Sequence, residues 1–270
     1  MTWTTLQRSK LTEHIWGWRG GTGPTLLLIH GVGMQADYWS NLISALEQNF
    51  TLLVIDMPGH GASPVLTTAT QTLRDYTHCI AEVLIGCNEP IFVAGHSMGA
   101  LISVDLAYRY RKYVKAIVVL NGVFQREDSA SVAVRIRADN LDGHSVSDSS
   151  LTLERWFGDA PQGLNADAAE HCKDWLSSIN PLGYQQAYRA FAYDDGPSEA
   201  TVRDIECPAM FATGALEPNS TPAMSRSMAS LARQGECHVV EDARHMMSMT
   251  HGVQLGDLMT SFFKRAGASV

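Results

Sequence analysis

The sequence predicts an α/β fold: a mostly parallel central sheet flanked by helices, with an inserted helical cap. Three observations carry that expectation. Short apolar runs alternate with helix-length periodic segments, as in a sheet covered on both faces. The alternation stops over one long internal stretch and then resumes. A serine bracketed by glycines stands where an apolar run gives way to a helical segment.

Thr25 to Ile29 is a buried strand ending at His30-Gly31. Tyr38 to Gln48 carries Trp39, Leu42, Ile43 and Leu46 at helical spacing, and Thr51 to Ile55 returns as a strand. A helix over Gln71 to Ile85 precedes the strand Ile91 to Ala94. The run from Gly99 through Tyr110 is helical, and Ala116 to Leu120 is a strand. Gln125 to Ile205 lacks buried strands and predicts short helices. The rhythm resumes with a strand at Pro208 to Ala212, a helix over Pro222 to Arg233, a strand at Cys237 to Val240 and a closing helix over Val253 to Lys264. The expected division is a core of residues 1–124 and 206–270 with a cap insertion at 125–205.

With 270 residues the chain builds one sizeable core, and 45% hydrophobic against 18% charged residues is ordinary globular composition. The net charge of −8 supplies no basic excess to neutralise phosphates, which argues against nucleic acid and anionic membrane surfaces. Cys79, Cys87, Cys172, Cys207 and Cys237 are odd in number and form no CxxC pair, so they read as reduced thiols. No basic start with an apolar run opens the chain, and no stretch approaches the ~18 apolar residues of a membrane span. A cytoplasmic location is expected. The expected partner is a small-molecule substrate, and a homo-oligomer is left open.

Gly95-His96-Ser97-Met98-Gly99 has the Gly-x-Ser-x-Gly form. Three fixed residues each at ~7% abundance give about 0.1 chance matches in such a chain, so the pattern alone decides little. Its setting decides more. Ile91 to Ala94 supplies the strand before it and Ala100 to Tyr110 the helix after it, a strand–turn–helix that lifts a serine hydroxyl clear of the sheet. Side chains at the flanking positions would collide with the neighbouring strand and helix.

A serine hydroxyl needs a base, and the base a group that fixes its tautomer. His245 lies between the last strand and the final helix, where the order serine, acid, histidine places the base. His251 is its nearest rival. His30 and His60 in glycine turns, and His96 beside the serine, are assigned to packing or backbone hydrogen bonds. Glu217 follows the strand Met210 to Thr213, at the strand end where open sheets place their sites. Asp242 is the alternative acid. Charge developing on a substrate oxygen calls for two N–H donors, and Met98 and Val32 in the turn His30-Gly31-Val32-Gly33 are placed to supply them. No HExxH, paired CxxC, P-loop or dinucleotide fingerprint occurs, so no cofactor and no metal is expected.

These motifs, with Asp56 to Ser63 and Gly214 to Glu217, make the chain resemble the α/β-hydrolase superfamily over nearly its full length. The resemblance implies a hydrolase with Ser97 as nucleophile, and assigns structure to Asp56 to Ser63. Most of the superfamily has aspartate where Glu217 stands. Arg135-Ile136-Arg137, Leu153 to Phe157 and Gly183-Tyr184 resemble the cap of 3-oxoadipate enol-lactonases. That similarity implies a small ester, lactone or related acyl compound, with a carboxylate within its range. The cap aromatics Trp156, Phe157, Trp175, Tyr184, Tyr188, Phe191 and Tyr193 line a pocket or pack the cap down, and Arg135 and Arg137 pair with a carboxylate or lie on the surface. Trp156, Arg135 and Tyr188 are the residues set against substrate. Carbon–carbon, amide and carbamate hydrolysis, acyl transfer and a non-enzymatic ligand receptor stay open, because the triad does not fix the leaving group.

Overall fold

A computed structural model describes residues 5–67, 71–146 and 148–268. The strands are β1 (Ser9–Lys10), β2 (Trp16–Gly21), β3 (Thr25–Ile29), β4 (Thr51–Asp56), β5 (Ile91–His96), β6 (Val114–Leu120), β7 (Ala209–Gly214) and β8 (Gly235–Val240). They form one sheet in the order β1-β2-β4-β3-β5-β6-β7-β8, parallel from β4 onward, with β1 and β2 antiparallel at one edge. This is the fold class read from the sequence.

On the core side, α1 (Ser40–Leu46), α2 (Leu73–Ile85), α3 (Met98–Arg109), α9 (Pro222–Leu231), α10 (Met247–Thr250) and α11 (Gly252–Ala268) accompany the sheet. Between β6 and β7 lie α4 (Asp128–Asp139), α5 (Ser150–Phe157), α6 (Leu164–Ser178), α7 (Pro181–Ala192) and α8 (Glu199–Arg203), with no strand among the described residues. Alternate residues of each strand serve opposite faces. Leu27, Ile29, Val93, Ile117, Val119 and Phe211 bury with α2 and α3. Leu26, Leu28, Phe92, Ala94, Val118 and Met210 bury with α1 and α11. Burial on both faces is why these strands read as continuous apolar runs.

Two strands escape the sequence reading. β2, Trp16-Gly17-Trp18-Arg19-Gly20-Gly21, is half-exposed and carries three glycines, so it shows no apolar run. Its pairing with β4 explains one of them: a Cβ on Gly17 would lie 2.5 Å from the Val54 carbonyl oxygen. The helix expected over Tyr38 to Gln48 starts as a 3₁₀ turn at Ala36–Trp39 and ends at Leu46. α2 starts at Leu73, where Thr72 and Asp75 form a capping box. β5 runs on through Gly95 and His96 because its ladder to β6 continues to Leu120. Within the Asp56 to Ser63 segment, Asp56 makes structural contacts. Asp56 is buried, accepts the Ala36 and Ala62 N–H groups, and pairs with Arg8, which also holds Asp37. Among the described residues no helix is long and apolar enough to cross a membrane.

Candidate active site

Ser97 sits between β5 and α3 with φ 56° and ψ −114°, a left-handed conformation that costs a non-glycine residue energy. The surroundings hold it there. Ser97 N–H donates to the Leu120 carbonyl at 2.9 Å. A Cβ on Gly95 would fall 1.9 Å from the Gly99 oxygen, and one on Gly99 would fall 2.2 Å from the Ile29 oxygen. The two glycines are required by close approach. The result is that Ser97 alone in the run Ile91 to Ala100 is not buried.

His245 follows β8, and its Nδ1 donates to Glu217 Oε2 at 2.7 Å. The Glu217 side chain is fully buried and has four donors in all. Asn219 N–H (2.7 Å) and Ser220 N–H (3.2 Å) reach Oε1, and Asn121 Nδ2 reaches Oε2 at 3.3 Å. Burial opposes its ionisation, but the His245 ring and these hydrogen bonds outweigh burial and hold the carboxyl at about 2. Glu217 is therefore an anion that fixes the His245 proton on Nδ1 and leaves Nε2 as an acceptor. His96 Nε2 donates to the His245 carbonyl at 2.9 Å, and the Trp156 ring stacks on the His245 ring at 5.8 Å and 17°. Asp242 is exposed and His251 bonds Thr250, so neither rival enters this line.

Ser97 and His245 line one cavity of about 280 Å³. No hydrogen bond joins them among the described residues; in unliganded sites this contact is often long and tightens when substrate binds. Val32 is on the same wall, and Gly31 packs so near Ser97 that a Cβ on it would lie 2.9 Å from the serine Cβ. Met98 opens α3, so its N–H has no partner within the helix. The structure therefore gathers Ser97, His245, Glu217, Val32 and Met98 at the carboxyl ends of β3, β5, β7 and β8.

The α4–α8 segment closes the cavity from the other side. Trp156 and Tyr188 line it, as expected, with Tyr184 and Phe191. Phe157 is buried, Trp175 packs against the core, and Tyr193 is exposed against Asp139. Arg135 is not brought to the cavity. Its Nη2 pairs with Asp195 at 2.6 Å, because helical spacing turns it away from the face that carries Val134 and Arg137. Arg126, Arg137 and Arg155 line the wall in its place. Arg126 is held by Asp195 at 3.1 Å, whereas Arg137 bonds the Tyr188 hydroxyl and Arg155 the Thr152 hydroxyl. Arg126, Arg155 and Asn121 were not singled out from sequence. Asn121, with φ 52°, stands at the end of β6, a strand-end polar residue that the placement rule used for Glu217 would have found.

Residues 26–256 match the alpha/beta hydrolase family. The chain belongs to that family. Within it, the (E)-2-((N-methylformamido)methylene)succinate hydrolase of Acinetobacter baylyi is 39% identical over 249 residues, covering 90% of this chain and 92% of its own. A crystal structure of an E-2-(acetamidomethylene)succinate hydrolase superposes with a TM-score of 0.76 at 20% identity, over 96% of this chain and 98% of its own. The enol-lactonase of Burkholderia xenovorans superposes with a TM-score of 0.80 at 20% identity, over 93% of this chain and 96% of its own. At such identity the two structures share the hydrolase fold with this chain.

Proposed function

We propose that this hydrolase uses Ser97 to cleave the acyl–nitrogen bond of a small dicarboxylate carrying an acylaminomethylene group. One observation carries the reading. The buried Glu217–His245 pair opens into the cavity that Ser97 enters, and the facing wall carries Arg137 and Arg155, which bond only neutral hydroxyls among the described residues. A serine with an oriented base is acyl-transfer chemistry. Two guanidinium groups without carboxylates of their own suit a substrate with two. A cavity of about 280 Å³ lies just below the ~300–1,000 Å³ of small-molecule sites, which favours a compact substrate over a long acyl chain. The choice of an N-acyl group follows the Acinetobacter baylyi relative, whose name places an N-methylformamido group on a methylene succinate. Esters and lactones, the leading expectation from sequence, use the same steps.

Ser97 Oγ attacks the acyl carbon while its proton passes to His245 Nε2, and the Glu217 anion stabilises the imidazolium. The carbonyl oxygen takes up the negative charge and is held by Val32 and Met98 N–H groups. His245 then protonates the departing nitrogen, a good leaving group because its electron pair spreads into the conjugated carboxylate. Water, deprotonated by His245, releases the acyl group from Ser97. The helices of residues 125–205 act as a cap that supplies the carboxylate contacts.

The test is turnover of (E)-2-((N-methylformamido)methylene)succinate beside its dimethyl ester and p-nitrophenyl butyrate. A kcat/KM at least about 100-fold higher for the diacid than for its dimethyl ester is expected from two charged hydrogen-bonded contacts. Equal rates for diacid and diester would remove the dicarboxylate assignment.

A further inference from the structure

Two turns meet at the carboxyl ends of β3 and β4: residues 30–33, whose Val32 lines the cavity, and residues 57–63. They are joined by two histidines in a reciprocal arrangement. His30, on the first turn, donates Nδ1–H to the Gly31 carbonyl (2.7 Å), and its Nε2 accepts Met57 N–H (2.9 Å) from the second turn. His60, on the second turn, donates Nδ1–H to the Pro58 carbonyl (3.1 Å), and its Nε2 accepts Gly33 N–H (3.1 Å) from the first. A backbone N–H can be met only by a lone pair, so both rings are neutral with the proton on Nδ1. Both are buried, with ring centroids 5.3 Å apart. Burial also pushes both away from protonation.

The consequence falls on Val32. Three successive amides follow Gly31. Met34 N–H closes the turn onto the Gly31 carbonyl at 3.2 Å, and Gly33 N–H is taken by His60, whereas Val32 N–H has no partner among the described residues and lies on the cavity that Ser97 enters. The His60 side of the clasp is itself wedged. A Cβ on Gly59 would fall 2.6 Å from the Gly183 Cα in α7, so this turn has no room to drift. Gly33 is buried, and without His60 its N–H would lack an acceptor, a cost the turn would relieve by rotating.

We propose that His60 is a positioning residue for the oxyanion site, holding the Gly33 amide so that Val32 N–H faces the oxygen of the substrate acyl group. The role rests on the serine chemistry proposed above. His60 touches no reacting atom, so its loss should lower kcat and leave ground-state binding nearly unchanged.

The test uses four proteins, the wild type, His60→Phe, His60→Gln and Ser97→Ala, with p-nitrophenyl acetate as the probe. His60→Phe keeps a buried ring and removes the acceptor, whereas His60→Gln offers an amide oxygen in its place. The phenylalanine variant should lose about 10- to 100-fold in kcat with KM within about threefold, short of the loss of a whole oxyanion donor. Its Gly33 amide should exchange with solvent at least tenfold faster, and glutamine should restore part of both. Nitrogen-15 NMR of the wild-type protein needs no variant, and a coupling across the hydrogen bond from Gly33 N–H to His60 Nε2 is expected. Absence of that coupling, or a phenylalanine variant with unchanged kcat, overturns the role of His60. A fall in kcat with matching loss of KM and no change at Gly33 would make His60 merely structural. Turnover that survives Ser97→Ala would remove the serine chemistry itself, whereas Ser97-dependent turnover indifferent to His60→Phe would remove only the positioning role.

Discussion

The sheet and the α4–α8 segment contribute different things to one cavity. From the sheet come Ser97, His245, Glu217 and the two turns, all fixed by backbone: a strained serine, glycines with no room for a Cβ, and a carboxylate held by amides. From the helices come Trp156, Tyr188, Arg137 and Arg155, side chains on helix faces. The difference teaches where each half of an enzyme's behaviour resides. Under the proposed function, chemistry that needs sub-ångström placement is built into the strand ends, and selection by charge and shape falls to side chains that can be exchanged.

Substitutions on the sheet side should therefore move kcat, and those on the helices KM. The largest effect is expected for Ser97→Ala: a loss of about 10⁴- to 10⁶-fold in kcat with an unchanged melting temperature, read by steady-state kinetics and calorimetry. Next, Glu217→Gln keeps the shape but removes the anion that fixes the His245 proton, and should cost about 10³- to 10⁴-fold in kcat. On the helices, Arg137→Gln and Arg155→Gln should each raise KM for a dicarboxylate about 10- to 100-fold while leaving p-nitrophenyl acetate turnover within about twofold. An equal effect on both substrates would break the division.

Acid should weaken the sheet side first. Glu217 is held at about 2 against an ordinary 4.5, and His60 at about 4 against 6.5. Both folded values are depressed, so the unfolded chain binds protons first and stability falls as pH falls. The His60 contribution is complete above pH 6.5 and fades toward about 4, and that of Glu217 is complete above 4.5 and fades toward about 2. The melting temperature should be flat from pH 8 to about 6.5 with respect to these groups and drop steadily below it. The smallest effect is expected for Arg135→Ala, which leaves KM within about twofold because Arg135 faces Asp195 and not the cavity.

The same division explains what could be read in advance. β3 to β7 are legible because two-sided burial writes continuous apolar runs, and the places of Ser97, His245 and Glu217 because strand ends and chain order restrict them; β8, buried only at Val240, is legible only over Cys237 to Val240. β1 and β2 leave no such trace: β1 is two exposed residues, Ser9 and Lys10, and β2 is half-exposed and rich in glycine. Sequence sets Arg135 against substrate because it places a residue on a helix without saying which face meets the cavity. Arg137, two residues on, points inward. The strand-end position of Asn121 is legible, but its contact to Glu217 spans 96 residues of chain, so its partner is not.

The most direct single measurement is intact-mass spectrometry after a fluorophosphonate probe, followed by mapping of the labelled peptide. One adduct per chain, on Ser97 and abolished by His245→Ala, is the expected result. Unlabelled protein, or label on another residue, would contradict Ser97 as the nucleophile and with it the chemistry assigned to the sheet.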